Sequence, residues 1–307
     1  MSEMNIVTKR DRPDSLVSVV VPTFNRAGRI AAALDSIFDQ NYRPIELLVV
    51  DDGSTDDTKT ILEKWANQHR SADFQVRLIW NEHGGAPAAR NSGMRMASGE
   101  FIQFADSDDR LLPGKIALQV EQMHETGVDM AVCDYFWMDE DGNILHEHRN
   151  DGDLKKKVSR HDSVFIMTPL VRLAKIRGVV WWDEKMPWCQ DMDFFLKVFL
   201  VIDTYVHTPG MYCQYNIHRE HQLSDKRFGS MPPYGRRIYS LLQFSWEHRN
   251  DLDRDAKRMA VTAAAFLAKD AVLFTPRKRM RARFPSMIPI VQEAKKMARR
   301  VLGIGDP

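Results

Sequence analysis

Only three cysteines, Cys133, Cys189 and Cys213, occur among the 307 residues. They are far apart, odd in number and without C-x-x-C spacing. That excludes a disulfide framework and a zinc ribbon, and it fits a reducing compartment. Nor is there a run of about 18 apolar residues, so no membrane-crossing helix is expected. Met1 to Pro13 are polar and lack the apolar core of a signal peptide; a cytoplasmic setting is expected. Neither G-x-G-x-x-G nor G-x-x-x-x-G-K-[ST] occurs, which removes the dinucleotide fingerprint and the P-loop. There is no internal repeat and no low-complexity tract.

What is present is an ordinary globular composition, 44% hydrophobic and 28% charged. The length suits one large domain, or a domain with an appendage. A net charge of +1 conceals an uneven spread: from Pro276 onward nine Lys or Arg face only Glu293 and Asp306, a local +7 that leaves −6 elsewhere. A basic tail on an acidic body suits an anionic partner such as a membrane surface. The tail reads equally as a solvated helical face or a packing surface. No nucleic-acid motif accompanies it, and no nucleic-acid partner is expected.

Short apolar runs alternate with helical patterns. Leu16 to Val21 and Ile45 to Val50 read as buried strands, Val76 to Trp80 as a third and Phe101 to Ala105 as a fourth. Ile30, Leu34, Ile37 and Phe38 mark one helix, and Ile61, Leu62 and Trp65 another. The segment His83 to Gly93 leads into a third helix. This alternation predicts an α/β parallel sheet. Beyond it, Met130 to Tyr135 predicts a strand and Phe136 to His148 a hairpin turning at Asp141-Gly142-Asn143. Asp151 to Ser159 is polar and predicts a loop. Ile238 to Trp246 and Ala256 to Leu273 predict helices. The expected units are a flexible stretch 1–14, a catalytic unit 15–225 and a helical region 226–307 ending in the basic tail 276–307.

Three predicted strands end in chemically loaded turns: Pro22-Thr23-Phe24-Asn25, Asp51-Asp52-Gly53-Ser54 and Asp106-Ser107-Asp108-Asp109. A parallel sheet brings them to one edge, where ligands of such sheets bind. Asp106 and Asp108 can hold a hard divalent cation, Mg²⁺ or Mn²⁺, with positions left open for phosphate oxygens. Ser54 or Thr55 is expected to cap the next helix, with Asp56 and Asp57 in its first turn. The pair Asp51-Asp52 can accept from a base N–H, although strand-end aspartates also bind metals. Gly84-Gly85-Ala86-Pro87 allows close backbone approach, and Arg90 can pair with a phosphate or form a surface ion pair.

Four motifs in order, Val19 to Arg26, Val49 to Asp56, Ala89 to Gly93 and Gly99 to Asp109, resemble glycosyltransferase family 2. The resemblance covers roughly Ser15 to Ser224. It implies a GT-A fold, a Rossmann-like, mostly parallel sheet flanked by helices, with a nucleotide-sugar donor and inversion at the anomeric carbon. Pro22 and Thr23 then fall at the nucleoside, Asn25 among the donor-binding residues, Asp52 at the uracil edge, and Arg90 beside the donor. Asp106 and Asp108 fall at the metal, Asp106 also at the donor. Trp188-Cys189-Gln190-Asp191 resembles a segment usually written Glu-Asp; Gln190 replaces the glutamate, and Asp191 keeps the general base. Aromatic neighbours, among them Trp181, Trp182, Phe194 and Phe195, are expected to raise its pKa. Tyr215 to Ser224 resembles the segment closing the donor site, with Asn216 where arginine is common and His218 near the diphosphate or the metal.

The expected donor half is 15–110 and the acceptor half 111–225. The donor is expected to be a UDP-sugar first of all, and the acceptor a saccharide or lipid-linked saccharide. A sugar nucleotidyltransferase is the rival enzyme; its Gly-rich loop and basic signature are missing after Val21. A non-catalytic nucleotide-sugar-binding protein is the other rival, opposed by the intact Asp106, Asp108 and Asp191.

Overall fold

The structure is a computed structural model that describes residues 15–159, 164–186, 189–218, 234–248 and 250–273. The first half alternates strand and helix: β1 (Val17–Thr23), α1 (Ile30–Phe38), β2 (Ile45–Asp51), α2 (Thr58–His69), β3 (Phe74–Trp80), α3 (Ala86–Met96) and β4 (Phe101–Phe104). Then follow β5 (Arg110–Leu111), α4 (Lys115–Thr126), β6 (Met130–Met138), β7 (Ile144–His148), α5 (Leu154–Ser159), β8 (Pro169–Arg172), α6 (Leu173–Ile176), α7 (Gln190–Val201), β9 (Tyr205–Asn216), α8 (Tyr234–Glu247) and α9 (Arg254–Leu273). One mixed sheet runs in the order β3-β2-β1-β4-β8-β6-β9-β5, with β7 on β6.

β1 and β2 are buried along their whole length. This is why they read as continuous apolar runs: helices cover both faces of the parallel part. The chain winds from β1 through β2 to β3, then returns so that β4 pairs with the other side of β1. That reversal opens a crevice beyond the carboxyl ends of β1 and β4. Helix α3 makes the return crossing and must lie close to the sheet. A Cβ on Gly93 would fall inside the van der Waals surface of Val20 Cγ1 and 3.3 Å from Val50 Cγ2. Both neighbours are buried and β-branched, so they yield little. Gly93→Ala is expected to cost ~1–3 kcal/mol by overpacking. A urea-unfolding midpoint equal to that of the parent chain would refute this.

The predicted hairpin is present as β6 and β7. The predicted loop after Asp151 is corrected: α5 forms because Leu154 and Val158, four residues apart, are both buried. Helix capping also differs from expectation. Asp57 precedes α2 with no side-chain cap, while Ser54 Oγ accepts from the Asn25 N–H and the Thr55 N–H turns to Asn25 Oδ1. Cys133 and Cys213, 80 residues apart in sequence, lie buried as free thiols with their sulfurs in hydrogen-bond contact at 3.6 Å. Helices α8 and α9 pack on each other and against α7, and α9 also meets α5. Lys197 on α7 fastens α8: its Nζ donates to Asp193 at 2.7 Å and to Ser240 at 2.6 Å. The basic tail 276–307 lies outside the described residues. Among those described, no helix is long and apolar enough to cross a membrane.

Candidate functional site

The parallel register pairs Thr23 with Asp51 and Val20 with Phe104, so the three loaded turns leave the same edge of the sheet. The first two turns are tied together. Asn25, at a positive φ of 50°, accepts the Thr55 N–H at 2.8 Å, and its own N–H goes to Ser54. Asn25 thereby holds the crevice wall; Pro22 and Thr23 are buried at the strand end beside it. Asp51 Oδ1 accepts from the amides of Gly53 and Ser54, which leaves Oδ2 buried without a hydrogen-bond partner. Asp52 is 2% exposed; one oxygen accepts from Gly84 N–H at 2.9 Å and the other from Gly85 N–H at 2.8 Å. His83 Nδ1 lies 2.9 Å from the same carboxylate, and its ring stacks on Phe24 with centroids 4.3 Å apart. A flat ring bound against Phe24 at Asp52 meets that imidazole.

Asp106, Asp108 and Asp109 crowd the end of β4, and two guanidiniums offset them. Arg90 Nη2 is 2.8 Å from Asp106 Oδ1, and Arg26 Nε is 3.4 Å from Asp108 Oδ2. Burial raises the pKa of Asp108, and the charge of Asp106 raises it further; Arg26, His218 and Arg29 pull the other way. Burial, then Asp108 and Asp106, push Asp109 well above the carboxylate range. Asn216 fixes this turn from β9: its N–H donates to Asp109 Oδ1 and its Nδ2 to the Asp108 carbonyl, both at 2.7 Å. A cavity of ≈ 480 Å³ opens alongside, lined by Arg29, Asp108, Asp109, Glu140, Asn216 and His218. His218 Nδ1 is 3.6 Å from Glu140.

Helix α7 reaches the same edge through Arg90. Its Nη1 donates to Gln190 Oε1 at 3.0 Å, and its guanidinium lies 4.6 Å from the centre of the Trp182 ring. Asn91 secures that tryptophan's segment, donating to the Trp182 carbonyl and accepting the Trp182 N–H. Trp182 in turn stacks on Phe194, with centroids 4.1 Å apart. Asp191 is the second residue of α7. Its pKa is raised by burial, against the Met192 amide and the charge of Arg90; Asp106 adds to the rise and Arg237 on α8 opposes it. The raised pKa expected of Asp191 is therefore present. Trp188 lies outside the described residues.

Leaving a buried polar atom unpaired costs about 1–3 kcal/mol, so such atoms cluster where a ligand will satisfy them. Of the eight buried side-chain N or O atoms without a hydrogen-bond partner among the described residues, seven line this edge: Thr23 Oγ1, Arg26 Nε, Asp51 Oδ2, Arg90 Nε, Asp109 Oδ2, Trp182 Nε1 and His218 Nε2. For a divalent cation, Asp106 and Asp108 supply hard oxygens and only cationic groups counter them, so the donor set fits. Among the described residues no three His, Cys, Asp or Glu side chains are arranged to hold a metal ion between them. A two-carboxylate site of this kind suits an ion whose remaining positions go to water and phosphate. Sequence reasoning missed Arg26, Asn91, His83 and Arg237; Arg26 and Asn91 were in plain view inside the quoted motifs.

Residues 18–177, just over half of the chain, match the family described as Glycosyl transferase family 2. The chain belongs to glycosyltransferase family 2. Over 131 residues this family 2 chain is 38% identical to the glycosyltransferase GlyG of Streptococcus pneumoniae serotype 4, covering 42% of either protein. Over 124 residues it is 36% identical to WfgD of Escherichia coli, named a UDP-Glc:alpha-D-GlcNAc-diphosphoundecaprenol beta-1,3-glucosyltransferase, covering 40% of this chain and 46% of that one. The chain spans less than half the length of these relatives. Among solved structures, Staphylococcus aureus TarS in complex with UDP-GlcNAc superposes with a TM-score of 0.70 at 20% identity, over 94% of this chain and 83% of that one. The mannosyltransferase PcManGT of Pyrobaculum calidifontis, in complex with GDP-Man and Mn²⁺, gives 0.55 at 18% identity, over 95% and 87%. The GT-A fold expected from the motifs is the fold present.

Proposed function

We propose that this family 2 chain is a metal-dependent, inverting glycosyltransferase that moves a sugar from a UDP-sugar to an acceptor hydroxyl in polysaccharide or glycoconjugate biosynthesis. The observation that carries the reading is Arg90, which joins Asp106 of the carboxylate pair to Gln190, the residue before Asp191. One hydrogen-bonded unit thus runs from Asp106 to the residue next to Asp191, the carboxylate suited to take a proton.

Residues 15–110 hold the donor and 111–225 the acceptor. The base lies against Phe24, within reach of Thr23 Oγ1, Asp51 Oδ2 and Asp52. Arg90, ion-paired with Asp106, faces the diphosphate. A divalent cation held by Asp106 and Asp108 would neutralise charge on the departing diphosphate. Asp191, with its raised pKa, takes the proton of the acceptor hydroxyl. That oxygen attacks the anomeric carbon from the face opposite the diphosphate, and one displacement inverts the configuration. His218 Nε2 is a buried donor for the leaving group. A lipid-linked saccharide like the one in the name of WfgD is the acceptor class, with the +7 tail docked on an anionic surface.

Titration calorimetry with UDP, with and without Mn²⁺, tests the reading. Mn²⁺-dependent binding of UDP, with GDP and CDP much weaker, is the expected result. Silence from all three nucleotides with metal present would overturn the enzyme reading in favour of a non-catalytic role.

A further inference from the structure

His83 stands where the base of the donor is expected. Its Nδ1 lies 2.9 Å from Asp52 Oδ2 and 3.1 Å from the Asp52 carbonyl oxygen. Both of those atoms accept, so Nδ1 carries a proton and donates. The imidazole lies on Phe24, with centroids 4.3 Å apart and planes 29° from parallel. One flat ring therefore makes two contacts at once, a face on Phe24 and an N–H at Asp52. The donor reading gives the same two contacts to the base. Rings 4.3 Å apart admit no third ring between them. A base that takes both contacts has to displace the imidazole.

The backbone that carries His83 is pinned, and its side chain is not. The Asn81 N–H donates to the Asp51 carbonyl at 2.9 Å, and the Gly84 and Gly85 N–H groups hold the Asp52 carboxylate at 2.9 and 2.8 Å. Gly53, at a φ of 81°, lets this segment close on the turn after β2: a Cβ there would come 3.1 Å from the His83 nitrogen. The main chain is thus tied down on both sides of residue 83. The imidazole keeps 59% of its side-chain surface in water. Rotation about its own side-chain torsions carries it into solvent without moving the segment. Asp52 stays, buried and held by two amides. Thr23 Oγ1 and Asp51 Oδ2 go unpaired at the same strand ends, so the imidazole fills the site only in part. A nucleoside brings further polar groups to them.

We propose that His83 is a built-in competitor of the donor: its imidazole occupies the base site of the ligand-free chain and swings out when nucleotide binds. The proposal rests on the donor reading and adds a self-occupied state of that same site. Such occupancy lowers apparent affinity by the fraction of chains whose site is open. It weighs equally on every ligand that needs the base site, so it sets affinity and not the choice of base.

Titration calorimetry of the full chain and of His83→Ala, each with UDP and Mn²⁺, tests it. Removing the ring should tighten UDP binding about threefold to tenfold, the range for one stacked, hydrogen-bonded ring in competition. The side chain is exposed, so the variant's Tm should stay close to the parent's, which controls for folding. Tighter binding to the variant, or binding to the variant alone, supports the competitor. Weaker binding to a variant that melts with the parent would make His83 a wall that grips the base, and overturns it. If UDP binds both proteins equally, the competitor alone falls; if UDP binds neither, the donor reading falls and the competitor with it.

Discussion

Asp191→Asn is expected to bind UDP and Mn²⁺ as the parent chain does, yet to transfer sugar ~10²–10⁴-fold more slowly, the range for removing a general base. Asparagine has the shape of aspartate and leaves the first turn of α7 in place, so Gln190 still meets Arg90. What disappears is the proton acceptor. The parent chain's pH profile carries a second signature. Only ionised Asp191 accepts a proton, so kcat/KM falls as pH drops through its pKa. Burial raises that pKa above the ordinary aspartate range, and Asp106 adds to the rise. The acidic limb should therefore lie above the range of a solvated carboxylate and vanish in the variant's residual rate. Single-turnover rates for both proteins, with the UDP-sugar that binds, measure this. Near-normal turnover in Asp191→Asn would remove the residue from catalysis.

The first half of the sheet was legible because its strands are buried on both faces and therefore spell unbroken apolar runs, as in Val19-Val20-Val21 and Leu47-Leu48-Val49-Val50. Beyond it, β6 and β7 were legible as a strand and a hairpin, but β5 and β8 were not. β5 has two residues and β8 four, too few for any period to show. α4 was hidden for a different reason: two of its core positions are polar. Lys115 is fully buried and bonds to Gln103 and Gln119. α5 shows only Leu154 and Val158 against three lysines.

Within the site, the sequence located the carboxylates but could not apportion them. Asp51 spends one oxygen on its own turn, and Asp52 spends both on Gly84 and Gly85. The first is an Asx turn carried by Asp51-Asp52-Gly53-Ser54 itself; the second spans more than thirty residues and has no local signature. The roles of Arg26 and Asn216 are also tertiary. Arg26 follows β1, which pairs with β4, whereas Asn216 ends β9, which pairs with β5 beyond the same turn; only the folded sheet makes them partners of Asp108. Arg90 shows the same limit. Its residue type announced a cationic partner for phosphate, but its bond to Gln190 spans 100 residues and needs the fold.

Asp108→Ala is expected to abolish the Mn²⁺-dependent part of UDP binding, a loss of at least ~100-fold, since disturbing even the outer partners of a metal ligand costs 10–100-fold. Its effect on the ligand-free protein should run the other way. The folded-state pKa of Asp108 is raised, by burial and by Asp106. A carboxylate with a raised folded pKa binds its proton more tightly when folded, so stability falls as pH rises from the unfolded pKa through the folded one. At neutral pH the ionised group therefore opposes folding, even with Arg26 3.4 Å away. Removing it relieves the repulsion from Asp106, and ligand-free Asp108→Ala should melt above the parent chain. Mn²⁺ with UDP should then raise the Tm of the parent and leave the variant unmoved, because stabilisation by a ligand follows its affinity for the folded state. Surface crowding of charge by itself predicts the first difference but not the second. A variant that still gains stability from Mn²⁺ with UDP would place the cation on other ligands and detach Asp108 from the donor site.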